Sequence, residues 1–170
     1  MPRRLFFALL PPRALADEMV LRAARLGLGG RLVAADRLHL TLAFLGPRDT
    51  SAVEALLRGV DNISAAPFTM SIDRLGGFQG ARTAWFGPER APVRLTALAA
   101  ELGKQGVDRQ RFVPHITVIR DCVPPAPTAL FPPMIWHVAH LALIESGHDG
   151  MPGAYHTLAR WRLSDMVRQD

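Results

Sequence analysis

A chain of 170 residues is long enough to bury one full hydrophobic core, and 49% hydrophobic against 21% charged residues is a globular balance that excludes a disordered tail. The net charge of +5 rests almost wholly on arginine, since Lys104 is the single lysine; this suits a nucleic-acid ligand, but genome base composition produces the same bias, so charge alone carries no argument. Cys122 is the only cysteine, which excludes an intrachain disulfide and a multi-cysteine metal site, and no apolar run is long enough to span a bilayer or serve as a signal segment. A single domain over residues 1–170, cytoplasmic and free of membrane contact, is therefore expected.

Arg3 to Leu10 is an apolar run closed by Pro11-Pro12 and reads as a buried strand. From Pro12 to about Leu28, Leu15, Met19 and either Leu21 or the stem of Arg22 recur at helical spacing, and Gly27-x-Gly29-Gly30 is the stop. Leu32 to Arg37 leads into a strand over His39 to Leu45, ended by Gly46-Pro47. Asp49-Thr50-Ser51 offers N-caps for a helix with Val53, Leu56, Leu57 and Val60 on its inner stripe.

Phe68, Met70 and Ile72 alternate with Thr69, Ser71 and Asp73, and Thr83 to Phe86 follows after Gly76-Gly77-Phe78-Gln79-Gly80, so a strand pair with a glycine-rich connection is predicted. That connection is no phosphate loop, because no Gly-Lys-Ser/Thr closes it. Pro92 to Gln105 carries Val93, Leu95, Leu98, Ala99 and Leu102 at helical spacing. A strand over His115 to Arg120 comes after Arg109, Arg111 and Phe112. Five prolines between Pro124 and Pro133 predict a surface connection, and Ile135 to Ile144 and Tyr155 to Leu163 are read as the closing strands. Because helices do not separate every strand, the pattern predicts an α+β fold with mainly antiparallel pairing.

Two of these strands say the same thing: His39-Leu40-Thr41-Leu42-Ala43-Phe44 and His115-Ile116-Thr117-Val118-Ile119-Arg120. Strand side chains alternate faces, so each copy offers His and Thr on one face and an apolar core face on the other. One copy alone reads as a half-buried strand with ordinary hydrogen bonds. Two copies side by side would set two imidazoles and two hydroxyls around a common point, a site for acid–base chemistry on a small anion. His137, His140, His148 and His156 show no metal-ligand spacing and are read as structural or surface residues, and Cys122 as a buried or loop thiol.

The two motifs, with the surroundings Leu38-His39-Leu40-Thr41-Leu42-Ala43-Phe44-Leu45-Gly46 and Arg111-Phe112-Val113-Pro114-His115-Ile116-Thr117, resemble the two-histidine phosphoesterase superfamily, in particular its RNA 2′,3′-cyclic phosphodiesterase (2′-5′ RNA ligase) branch. The resemblance extends to Arg4-Leu5-Phe6-Phe7-Ala8-Leu9 and to Gly153-x-Tyr155-x-x-Leu158-x-x-Trp161-x-Leu163. It implies a bilobal, pseudo-two-fold arrangement of two mainly antiparallel sheets with flanking helices and a central cleft. The repetition of the motif, each copy followed by paired strands, points the same way.

The resemblance also implies roles: His39 as general acid toward the leaving ribose O3′, His115 as general base for water, Arg120 as a phosphate clamp and Phe44 as a platform for the terminal base. Thr41 and Thr117 would donate to the non-bridging phosphate oxygens. The substrate would be RNA ending in a 2′,3′-cyclic phosphate, or a small cyclic nucleotide, acted on by a monomer without cofactor or metal. The alternatives are the reverse reaction, 2′-5′ ligation with a 5′-hydroxyl in place of water, and a non-catalytic RNA-end-binding protein. A metal-dependent phosphodiesterase lacks ligands. Strict alternation would put Phe44 and Arg120 on the face opposite their histidines, so the strands must bend or end if these residues are to reach the cleft; a core position for Phe44 beside Leu42 and Leu45 stays open.

Overall fold

The computed structural model describes residues 3–60, 63–107, 111–147 and 153–164; Arg109 and His148 lie outside the described residues. The elements run β1 (Arg3–Leu9), α1 (Arg13–Ala24), β2 (Arg31–Leu32), a 3₁₀ turn (Ala35–Arg37), β3 (Leu40–Arg48), α2 (Thr50–Val60), β4 (Phe68–Phe78), β5 (Thr83–Gly87), α3 (Val93–Gly103), β6 (Ile116–Arg120), β7 (Thr128–Val138), β8 (His140–Ser146) and β9 (Tyr155–Arg162). This is an α+β fold. The strands follow the order β7-β4-β5-β6-β3-β1-β8-β9, with β2 on β6, and the pairings are antiparallel.

The middle of this sheet is thin. β3 and β6, the motif strands, meet at one register pair, Leu40 opposite Ile116. On either side lies a four-stranded half, β3-β1-β8-β9 and β6-β5-β4-β7. Helices make good the missing ladder: α1, which follows a strand of the first half, packs on β6, and α3, which follows a strand of the second, packs on β3. Apolar burial across this crossing adds to the few backbone hydrogen bonds that join the halves.

From Leu5 to Leu9 β1 is apolar because both its faces are covered. Leu5, Phe7 and Leu9 enter the main core, while Phe6 and Ala8 form a second cluster with Ala142 and Ile144 on the opposite face. The helices bury one stripe each: Ala16, Met19 and Ala23 on α1; Val53, Leu56 and Val60 on α2; Leu95, Leu98, Ala99 and Leu102 on α3. Val93, expected inside, stands exposed, and of the two alternatives on α1 Leu21 is exposed and the Arg22 stem is the more buried. Asp49 caps α2, its Oδ1 accepting from the Ala52 amide and the Ser51 hydroxyl, each at 2.8 Å. Such a cap is worth about 1 kcal/mol.

Several boundaries differ from the sequence reading for identifiable reasons. β3 continues past Gly46-Pro47, with Pro47 opposite Arg4; there the strand has a ladder partner on one side only, so a proline withholds no needed donor. The same holds for Pro132 and Pro133, which lie inside edge strand β7 and not in a connection. Gly76 and Gly77 belong to β4, opposite Trp85 and Ala84. A Cβ on Gly76 would lie 2.3 Å from the Trp85 indole, so glycine is what lets that ring cover the strand. Finally, the apolar run Ile135 to Ile144 is not one strand: it breaks at Ala139 into the end of β7 and the start of β8, at opposite ends of the sheet.

Candidate active site

Each motif histidine sits just before its strand, and each is oriented by the carbonyl two residues earlier. His39 Nδ1 lies 2.9 Å from the Arg37 carbonyl oxygen, and His115 Nδ1 lies 2.7 Å from that of Val113. A carbonyl can only accept, so both Nδ1 atoms carry hydrogen and both Nε2 atoms are left to exchange a proton. Aromatic rings hold the imidazoles: Phe6 and Tyr155 stand 5.0 and 5.1 Å from His39, and Phe78 and Trp85 stand 4.8 and 6.1 Å from His115.

Beyond the threonines the strands bulge, at matching places. Opposite β1, the register jumps from Ala43 to Thr41, leaving Leu42 as the extra residue; opposite β5 it jumps from Ile119 to Thr117, leaving Val118. Each insertion buries two consecutive apolar residues and returns the next one to the face of the threonine. Phe44 and Arg120 thereby occupy equivalent positions, both turned outward. Phe44 is 49% exposed, tilted against Phe6 at 5.9 Å, and is not a core aromatic.

One cavity of about 390 Å³ is lined by His39, Thr41, His115, Thr117 and Arg120 together, with Arg31, Arg37 and Tyr155 completing its wall. Phe44 lines an adjoining groove of about 530 Å³ that shares Thr41 and His115 and continues over Phe78, Arg111 and Phe112. Arg31, Arg37 and Tyr155 were missed by sequence reasoning. The nearest signals were the place of Arg37 two residues before His39 and the Gly153-x-Tyr155 segment, to which no role had been attached. His137 lies elsewhere, its Nδ1 3.0 Å from the Thr69 hydroxyl across β4 and β7, and the buried Cys122 points its Sγ at the Arg82 carbonyl, 3.7 Å away.

Among the described residues no carboxylate lines the cavity, and Arg31 of its wall is engaged by Asp121 at 2.6 Å. Among the described residues, Arg37 and Arg120 have no acidic partner, and no group of three or more His, Cys, Asp or Glu side chains could hold a metal ion. Burial pushes both imidazoles below the ordinary histidine pKa, against the opposing pull of their carbonyl partners. Arg120 lowers both further, and His115 and Arg37 add to the effect on His39. Both imidazoles are thus biased toward the neutral form beside guanidinium groups that have no acidic partner among the described residues, and an anion entering the cleft would favour protonation of the pair.

Two histidines with free Nε2 atoms, two threonines and an arginine around one anion-selecting cavity define a phosphoesterase of the two-histidine class. The chain belongs to the 2'-5' RNA ligase superfamily, whose family model matches residues 11–150. It is 34% identical to the RNA 2',3'-cyclic phosphodiesterase of Escherichia coli (strain K12), over 96% of this chain and 98% of that protein. Among solved structures, E. coli LigT complexed with 3'-AMP superposes with a TM-score of 0.83 at 32% identity, covering 96% of this chain and 99% of that one. E. coli LigT complexed with phosphate gives 0.81 at 34%, covering 96% and 98%.

Proposed function

We propose that this protein hydrolyses RNA 2′,3′-cyclic phosphate ends to 2′-phosphates by acid–base catalysis between His39 and His115. The observation that carries the reading is the pair of His-x-Thr strands whose four side chains, with Arg120, line one cavity. Binding alone would need neither a matched acid and base nor two tautomers fixed the same way.

In the proposed reaction, His115 Nε2 takes a proton from water as its oxygen attacks phosphorus. The P–O3′ bond breaks, and His39 Nε2 gives its proton to the departing O3′, leaving the phosphate on O2′. Thr41, Thr117 and Arg120 hold the non-bridging oxygens and take up the charge that builds on them. Because burial and Arg120 hold both histidine pKa values below the ordinary one, His39 would gain its proton with the substrate, whose negative charge offsets that of Arg120. Phe44 stacks on the terminal base in the apolar groove. On this reading the chain works as one domain of two lobes, a cytoplasmic monomer that needs no metal or cofactor; no helix among the described residues is long and apolar enough to cross a membrane.

The relatives named for this activity, and the LigT structures with phosphate and with 3'-AMP, support the reading. The same cleft run backward, with a 5′-hydroxyl in place of water, would form a 2′-5′ linkage, as the superfamily's name records. The test is incubation with an oligoribonucleotide ending in 2′,3′-cyclic phosphate, in EDTA, with the product end identified. Conversion to a 2′-phosphate is expected. A 3′-phosphate product, or activity abolished by EDTA and restored by a divalent metal, would overturn the reading.

A further inference from the structure

The cavity holds more positive charge than the reacting group calls for. A cyclic phosphodiester carries one negative charge, for which Arg120 and the two threonines suffice, and Arg31 is already neutralised by Asp121 at 2.6 Å. Arg37 is left over. Its guanidinium is nevertheless held in place: Cζ lies 5.4 Å from the centroid of the Tyr155 ring, and Nη2 would be 2.3 Å from a Cβ on Gly153. Gly153 supplies the bare backbone for this approach, at a φ of +76° that favours glycine. An arginine side chain loses roughly 2 kcal/mol of rotamer freedom when fixed. One fixed at the wall of an anion site, with no acidic partner among the described residues, is ready for a second anion.

We propose that Arg37, held over Tyr155, binds the phosphodiester on the 5′ side of the terminal ribose, so that the enzyme distinguishes the end of an RNA chain from a free cyclic nucleotide. This rests on the function proposed above. There, O3′ of the ribose sits at His39, and the ring's far corners diverge, C1′ with the base and C4′ with the C5′ oxygen and its phosphate. The aromatic groove over Phe44, Phe78 and Phe112 suits the base. What remains for the 5′ phosphate is the polar side of the cleft, where Arg37 and Tyr155 stand. Arg37 also belongs to the ribose side by its chain position, because its own carbonyl orients His39, the proposed donor to O3′.

The test compares two substrates that differ by one charge: a nucleoside 2′,3′-cyclic phosphate with a free 5′-hydroxyl, and the same molecule bearing a 5′-phosphate methyl ester, which adds a phosphodiester without a second base. The wild-type protein should favour the second by about tenfold in kcat/KM, chiefly through KM, the lower range for a charge-assisted contact at an exposed residue. Arg37→Gln should bring the ratio close to one, and Arg37→Lys should restore part of it. The preference should also fade as salt rises, more steeply in the wild type than in Arg37→Gln. Because His39 is common to both reactions, any effect of Arg37 on its protonation cancels in the ratio. An unchanged ratio in Arg37→Gln, or a wild-type ratio near one, would overturn the inference while leaving the proposed function standing. Failure of the wild-type protein to hydrolyse either substrate would sink the function itself.

Discussion

The two halves of the sheet carry the same frame and fill it differently. In each, a histidine is oriented by the carbonyl two residues back, a threonine follows, and a bulge turns the next outward residue into the cleft. That residue is phenylalanine on β3 and arginine on β6. The residue supplying the orienting carbonyl is arginine before β3 and valine before β6. The shared frame presents two imidazoles alike, as the proposed proton transfers at phosphorus would need; the differing fill would give the cleft a direction. On the proposed function, Phe44, on the strand that follows His39, would set the nucleoside on that half, and Arg120, on the strand that follows His115, would set the phosphate and the attacking water on the other.

The frame can be broken most severely at the histidines. His39→Ala and His115→Ala should each lower the rate on a cyclic phosphate by about 100-fold or more, since a positioned proton transfer contributes about 10²–10⁴-fold; single-turnover rates check this. Next comes the fill. Arg120→Ala should cost about 10–100-fold, the range of a charge-assisted contact at the phosphate. It should also move the pH profile of kcat/KM upward, because Arg120 lowers both imidazole pKa values and its removal lets each hold a proton to higher pH. The two limbs belong to the coupled pair and not to single residues. Phe44→Ala should act mainly on KM, by about 1–3 kcal/mol for a lost stack, and leave the pH profile in place. On the rate the smallest effect is expected at Gly76→Ala, where a Cβ must displace the Trp85 ring beside His115. Thermal unfolding should show a loss of about 1–3 kcal/mol.

How much of this was legible in the sequence follows from how local each feature is. The His-x-Thr pairs span three residues and were readable from alternation, as were the helix stripes and the Asp49 cap. The bulges were not, because the inserted Leu42 and Val118 are apolar like their neighbours and only the register against β1 and β5 shows them to be extra. Alternation accordingly pointed Phe44 and Arg120 the wrong way. Arg37 and Tyr155 are far apart in the chain and meet only through the sheet, so nothing in either local stretch joined them. Pro132 and Pro133 argued against a strand that exists because β7 is an edge, and edge position is a property of the assembled sheet.

The central claim is that two like histidines have unlike duties, and varying the leaving group tests it most directly. An acid matters only when the departing oxygen needs a proton, and a nitrophenolate leaves without one. On a nitrophenyl ester of a nucleoside 2′-phosphate, His39→Ala should recover much of the rate it loses on the cyclic phosphate, and His115→Ala should stay equally impaired on both. Rescue of His115→Ala and not of His39→Ala would contradict the account, exchange the two roles and move the nucleoside to the other half of the sheet.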